Sequence, residues 1–260
     1  MSNMQTENPY SAPESALQGS ELLNRTTSGK YFFRPALGLA LGTYITVGAH
    51  IAALLMNAAV LIYEHHLLGL VRDGATAGVD ARSSLASGDK LLVVSNGLIL
   101  LCLLVSYVVG GMWIYRVACN VRALGADDLD DSPGWAVGWY AVPFANLVRP
   151  FRAMRQIFLA SEKPHDWDDN SKPTLIIVWW TLFLLYSIGG YITGRLTQGT
   201  NIEDVMSLQF WLVAYRVVCV LASAAFIKVV WEITRLQAKS HANPGTERAN
   251  LADNPVFANI

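Results

Sequence analysis

The chain is short of charge. Only 15% of its 260 residues are Asp, Glu, Lys or Arg, against about 25% in ordinary soluble domains. With 53% of residues hydrophobic, that deficit argues for a membrane protein before any segment is inspected. A basic surplus is missing too: 19 Lys and Arg stand against 20 Asp and Glu. There is no global positive field of the kind nucleic-acid binding uses, so no nucleic-acid partner is expected. The three cysteines, Cys102, Cys119 and Cys219, have no paired spacing and offer no disulfide framework. Cys102 and Cys219 lie inside apolar runs and read as small buried apolar residues. Catalytic signatures are also absent. The chain has no GxSxG, no HExxH, no P-loop, no dinucleotide-binding glycine pattern and no facing aspartates within its apolar runs. The expectation is a non-enzymatic protein with no cofactor and no metal. No early positive region precedes a short apolar core, so residues 1–30 read as a flexible tail rather than a signal peptide. Residues 240–260 read the same way.

What is there is apolar sequence in four long runs, at about 37–63, 91–115, 174–196 and 208–231. Each is long enough for the roughly 20 residues that cross a bilayer core. The expected fold is therefore all-α, with four transmembrane helices in one domain over 31–239. The first run carries Gly38 and Gly42 and the third carries Gly190 and Gly194, two small-xxx-small patterns that let helices approach closely. They suit packing within the bundle or a homo-oligomer. Polar residues inside the runs are few: His50 and Asn57 in the first, Asn96 in the second, Arg216 in the fourth. A polar group turned to lipid is costly, so these should face other helices. Arg216 is an intramembrane cation. Its candidate partners by depth are Asn57, Asn96 and tyrosine hydroxyls, with Glu64 or Glu203 within reach of snorkelling. The polar stretch 65–90 reads as a loop. Glu64, His65 and His66 at its start lack further ligands for a metal.

Between the second and third runs lies a stretch unlike the rest. Ser132-Pro133 is a helix start, with Ser as N-cap and Pro at the first helical position. Trp135 and Trp139, four apart, share a face. Pro143 ends or kinks this helix after about eleven residues, too few to span. A second segment, about 146–160, is amphipathic: Leu147, Phe151, Met154 and Phe158 on one face, Arg149, Arg152 and Gln156 opposite, Arg155 at the boundary. This interfacial pair, 132–160, has the composition of a membrane-surface element with arginines at the headgroups. Ahead of it, Gly125 reads as a helix C-cap. Asp127, Asp128, Asp130 and Asp131 read as a solvated acidic turn.

Basic residues orient the chain. With both tails and 116–172 on one side, that side holds fourteen Lys or Arg, while the other holds Arg72, Arg82, Lys90 and Arg195. Positive-inside bias then puts both termini and the central stretch in the cytoplasm.

The residues Trp113-Ile-Tyr-Arg116, Asn120, Ala123-Leu-Gly125, Ser132-Pro-Gly-Trp-Ala-Val-Gly-Trp139, Val142-Pro-Phe-Ala-Asn-Leu-Val-Arg-Pro150 and Ala153-Met154-Arg155 together resemble a bacterial membrane family, domain of unknown function 4328. The resemblance is densest from Trp113 to Phe158. It implies a four-helix domain of the bacterial inner membrane with no assigned activity, and it transfers no catalytic residue. Two functional readings follow from the residues. In the first, Trp135, Trp139, Phe144, Arg149, Arg152 and Arg155 form a cytoplasmic face for anionic membrane lipid or a partner protein. In the second, the protein is a small transporter or channel that uses the broken helical stretch and Arg216.

Overall fold

A computed structural model describes residues 31–74, 78–167, 171–195 and 201–242. The two tails therefore lie outside the described residues, apart from 240–242, which continue the last helix. Four long helices dominate: α1 (Leu37–Arg72), α2 (Gly78–Ala123), α5 (Thr174–Arg195) and α6 (Ile202–Ala242). Each is long and apolar enough to cross a membrane. Between α2 and α5 stand a short helix α3 (Pro133–Gly138), two 3-10 turns (Trp139–Ala141 and Ala145–Leu147) and α4 (Arg149–Glu162). No strand occurs among the described residues. The protein is an all-helical, multi-pass membrane protein.

The helices outrun the apolar runs. α5, with 22 residues, is about 33 Å long and matches a bilayer core of ~30 Å. α1, α2 and α6 have 36, 46 and 41 residues and project beyond it. The stretch expected as a loop at 65–90 is mostly helix among the described residues, with α1 running to Arg72 and α2 starting at Gly78. Its loss of hydrophobicity marks the exit from the bilayer, not the end of the helix. Leu, Ala, Arg and Lys there keep helix propensity high. The break itself is a glycine C-cap: Asp73 N–H donates to the Gly69 carbonyl, and Gly74 takes φ +70°.

α1 packs on α2 and α6, and α6 packs on α5. The order α2–α1–α6–α5 is an open arc, and no comparable packing joins α5 to α1 or α2. The small-residue patterns work unevenly. A side chain at Gly42 would press on Val109 at 3.2 Å, so Gly42 lets α1 onto α2, while Gly38 faces open space. On α5 the seat is made by Gly189 and Gly190, where a methyl group would lie 2.8 Å from Tyr215. The surroundings of Gly194 lie outside the described residues.

At the end of the bundle where α1 begins and α6 finishes, a buried polar knot ties four elements. Asn120 on α2 donates to the Arg34 carbonyl (2.9 Å) and to Gln237 Oε1 on α6 (3.1 Å), and accepts from Arg34 N–H (3.1 Å). Gln237 Nε2 donates to the Val117 carbonyl (3.0 Å) and to Ser161 Oγ on α4 (3.1 Å). Asn120, Gln237 and Ser161 are all buried. In a medium where an unmet polar group is costly, the network fixes α4 against the bundle.

α4 does not lie loose on a surface. It packs on α6, α2 and α5, with Ala153, Met154, Ile157 and Ala160 buried. Gln156, expected on the polar side, is buried and accepts from Asp130 N–H at 3.3 Å. The reason is the acidic stretch before α3, which is not simply solvated. Asp131 is buried and accepts from Trp139 Nε1 (2.7 Å), and Arg122 donates to its carbonyl. The Asp127 carbonyl accepts from Trp167 Nε1 (2.8 Å). This turn folds down over α4 at Gln156, while Arg152 stays exposed. Gly125 is the C-cap of α2, at φ +101° with Ala126 N–H returning to the Val121 carbonyl.

Candidate functional site

The open arc leaves a cleft between α2 and α5. It is floored by α1 and α6 and capped at the terminal end by α3 and the turns after it. Its volume is about 500 Å³, within the range of small-molecule sites. The walls are largely apolar and strongly aromatic: Tyr107 and Tyr140, Trp179 and Phe183, Tyr186 and Phe226. These rings pack on one another as well. Trp179 stacks on Phe226 with centroids 5.6 Å apart, and Tyr140 meets Phe183 edge-on at 6.2 Å.

Two buried polar side-chain atoms in this lining have no hydrogen-bond partner. His50 is 3% exposed, and its Nδ1 is buried with no hydrogen bond. The Ile99 backbone and the Arg216 guanidinium lie close enough to act on the imidazole. Tyr140 Oη is likewise buried and unbonded. Burial pushes this phenol's pKa up, so it stays a neutral hydroxyl. Ser106 and Ser187, which also line the cleft, bond back to the Cys102 and Phe183 carbonyls of their own helices. Buried polar groups are normally paired. Glu64 Oε1, His65 Nδ1, Asp131 Oδ2 and Gln209 Oε1 are also buried and unbonded, but only His50 and Tyr140 line a cleft with room for a ligand.

The cap grows out of local sequence. Ser132 caps α3, accepting from Trp135 N–H at 3.4 Å, and Pro133 occupies the first turn. Trp135 and Trp139 pack at a tilt of 31° with centroids 4.5 Å apart. Pro143 stops the helical run. The Ala145 N–H reaches back to the Pro143 carbonyl at 2.7 Å, with Phe144 between them at φ +63°, ψ −41°. This is a γ-turn of the rare positive-φ kind, strained for any residue with a Cβ. Its effect is to present Phe144, 87% exposed, at the tip. Leu147 and Val148 beside it are exposed too.

The sequence-marked arginines separate here. Arg149 lies over the Trp139 ring at 5.0 Å and 4.0 Å from Asp131. Arg155 donates twice to the Ser171 carbonyl, at 3.1 and 2.8 Å. Arg152 is exposed. Arg149 and Arg155 thus hold the fold together as well as carrying charge.

The intramembrane polar residues do converge, deeper in the bundle. Arg216 Nε donates to Asn57 Oδ1 (2.8 Å), and its Nη2 donates to Asn96 Oδ1 (3.2 Å). Asn57 Nδ2 donates to Ser95 Oγ at 2.7 Å. Two amide oxygens therefore solvate the cation, and among the described residues no carboxylate pairs with it. Tyr215, its neighbour, donates to the Tyr186 carbonyl at 2.9 Å. That sets the level: Tyr186 is about 18 Å from Thr174 and about 14 Å from Arg195 along α5. Arg216 sits near the middle of the span, behind His50.

Toward the opposite end, Glu64 is buried and accepts from Gln209 Nε2 at 3.1 Å. Its carboxylate occupies the notch at Gly88, where a methyl group would lie 2.5 Å from Glu64 Oε1. Glu64 is therefore committed to helix packing and does not reach Arg216.

Sequence reasoning missed the cleft. His50 was visible as a polar residue in an apolar run, but Tyr140 and Tyr107 look like any interfacial aromatic. No spacing rule brings 50, 107, 140 and 186 together.

Fold and site thus define a class: a multi-pass helical membrane protein with a side-opening cleft. The particular family follows from its sequence. A family model described as Domain of unknown function (DUF4328) matches residues 77–235, more than half of the chain, and the chain belongs to that family. The match covers α2 through most of α6. No curated protein and no solved structure matches the chain.

Proposed function

We propose that this is a non-enzymatic protein of the bacterial cytoplasmic membrane, with both termini in the cytoplasm, whose capped end engages anionic lipid headgroups. The observation that carries the reading is Phe144, held exposed on a strained turn with Leu147 and Val148 beside it and Arg149 and Arg152 following. An apolar wedge next to cations is what binds a headgroup layer: the ring buries among acyl chains while each arginine adds about 1 kcal/mol at an anionic surface. A protein partner is the competing occupant of this face.

Native mass spectrometry of the protein in mixed micelles with phosphatidylglycerol and phosphatidylcholine tests it. Wild type should retain phosphatidylglycerol selectively, and a Phe144→Ser, Arg152→Gln variant should lose that selectivity. These two positions are preferred because neither makes a bond that holds the cap. Equal retention of both lipids by wild type would sink the reading.

The second reading, a small transporter or channel, is favoured by one feature: Arg216 near mid-span, bonded to two amides and, among the described residues, to no carboxylate. An uptake assay in vesicles with Arg216→Met would have to show lost flux to sustain it.

A further inference from the structure

The cleft lies at the level of the spans and opens sideways, between α2 and α5, toward the lipid. What reaches it is therefore dissolved in the bilayer. A saturated acyl chain would fill the volume, but it would leave the two unpartnered polar atoms as they are and gain nothing special from aromatic walls. Those walls favour a flat ring, which can stack or meet ring edges on several sides. The polar atoms specify what the ring carries. His50 Nδ1 is buried and unbonded, and a ring hydroxyl can donate to it or accept from it, whichever ring nitrogen carries the proton. Tyr140 Oη, a neutral hydroxyl, donates to or accepts from a second oxygen. A cationic donor is disfavoured, because Arg216 lies close enough behind His50 to act on it. A neutral hydroxyl remains.

We propose that the cleft binds a membrane-dissolved lipid with a hydroxylated aromatic ring on an apolar tail, a hydroquinone-type headgroup, with one ring hydroxyl bonding His50 Nδ1 and Tyr140 Oη bonding a second ring oxygen. The inference is of binding, and no electron transfer is part of it. It concerns a different site from the arginine-bearing cap surface and does not depend on how that surface is used.

The test uses the full chain in detergent, titrated anaerobically with a decyl-substituted hydroquinone and, separately, with 1-decanol. Quenching of tryptophan fluorescence reads binding, since Trp179 lines the cleft, and native mass spectrometry reads stoichiometry. Wild type should bind one hydroquinone per chain and bind decanol at least tenfold more weakly. Tyr140→Phe removes one unbonded oxygen and should weaken hydroquinone binding about tenfold, the worth of one buried hydrogen bond, with an unchanged thermal midpoint. Ser223→Leu, which fills the floor, should abolish binding. If that variant fails to fold, the Tyr140→Phe comparison decides alone. Arg152→Gln should leave binding as in wild type, which separates this site from the headgroup reading. Decanol binding as tightly as the hydroquinone, no hydroquinone binding by wild type, or unchanged affinity in Tyr140→Phe would each overturn the proposal.

Discussion

Two groups of buried polar side chains lie on the same helices, about 32 Å apart along α6 from Gln237 to Arg216. They are built on opposite principles. Around Asn120 and Gln237, amide hydrogens and oxygens are matched to partners on four elements. Around Arg216 and His50, a cation is met by two amide oxygens and the Tyr215 ring with no carboxylate among the described residues, a ring nitrogen is left over, and the space in front of it is open. A closed network rigidifies, whereas an incomplete one beside a cavity has bonding capacity left for something else. The first group reads as construction and the second as a site.

That contrast can be broken experimentally, and the largest effect should come from the closed group. Gln237→Ala leaves Asn120, Ser161 and the Val117 carbonyl short of a partner. It should destabilise the detergent-solubilised protein by about 3 kcal/mol, from the cost of unmet buried polar groups, read as a shift in its unfolding transition. A loss below about 1 kcal/mol would mean the knot is ornamental. Gly88→Ala comes next. The new methyl group would collide with the Glu64 carboxylate, and overpacking of this kind costs about 1–3 kcal/mol. Hydrogen exchange should localise that loss to the α1–α2 contact.

Arg216→Met sharpens the comparison most. Placing an arginine at mid-span costs about 2.5–3.5 kcal/mol on insertion scales, and the amides of Asn57 and Asn96 offset part of that. The variant should be as stable as wild type to within about 1 kcal/mol, because an apolar side chain commonly replaces a buried charge without loss. If it instead unfolds as readily as Gln237→Ala, the Arg216 group is construction as well and the contrast fails. The smallest effect belongs to Tyr140→Phe. Its hydroxyl has no partner to lose, so stability should move by less than ~0.5 kcal/mol. A larger loss would reveal a bond to the cap.

The cap and the spans differ in how far they could be read in advance. Four spans were legible because lipid imposes one simple demand, a long apolar run whose backbone bonds are met within the helix. The α3 start was legible because Ser132 and Pro133 are local signals. Helix ends were less so: composition changes at the bilayer surface while the helix continues, as at 64–72. Gln156 and Asp131 were assigned to solvent because each was judged on its own element. Both are buried by a neighbour that sequence spacing does not bring near. Arg216 had its two partners among the candidates, since depth along a helix can be counted, but the choice of Asn57 and Asn96 over Glu64 needed the packing.

By itself, then, the sequence determined the class of solvent, the number of spans, the polar residues that had to face inward and the helix start after the acidic turn. All of these follow from hydrophobicity and local backbone chemistry. Only the tertiary structure decided that the four helices form an open arc, that a strained turn holds Phe144 outward, and that His50 and Tyr140 share one cleft with Nδ1 of the one and Oη of the other unbonded. Those outcomes depend on which helix faces pair, and that is set by side-chain shape across residues far apart in the chain.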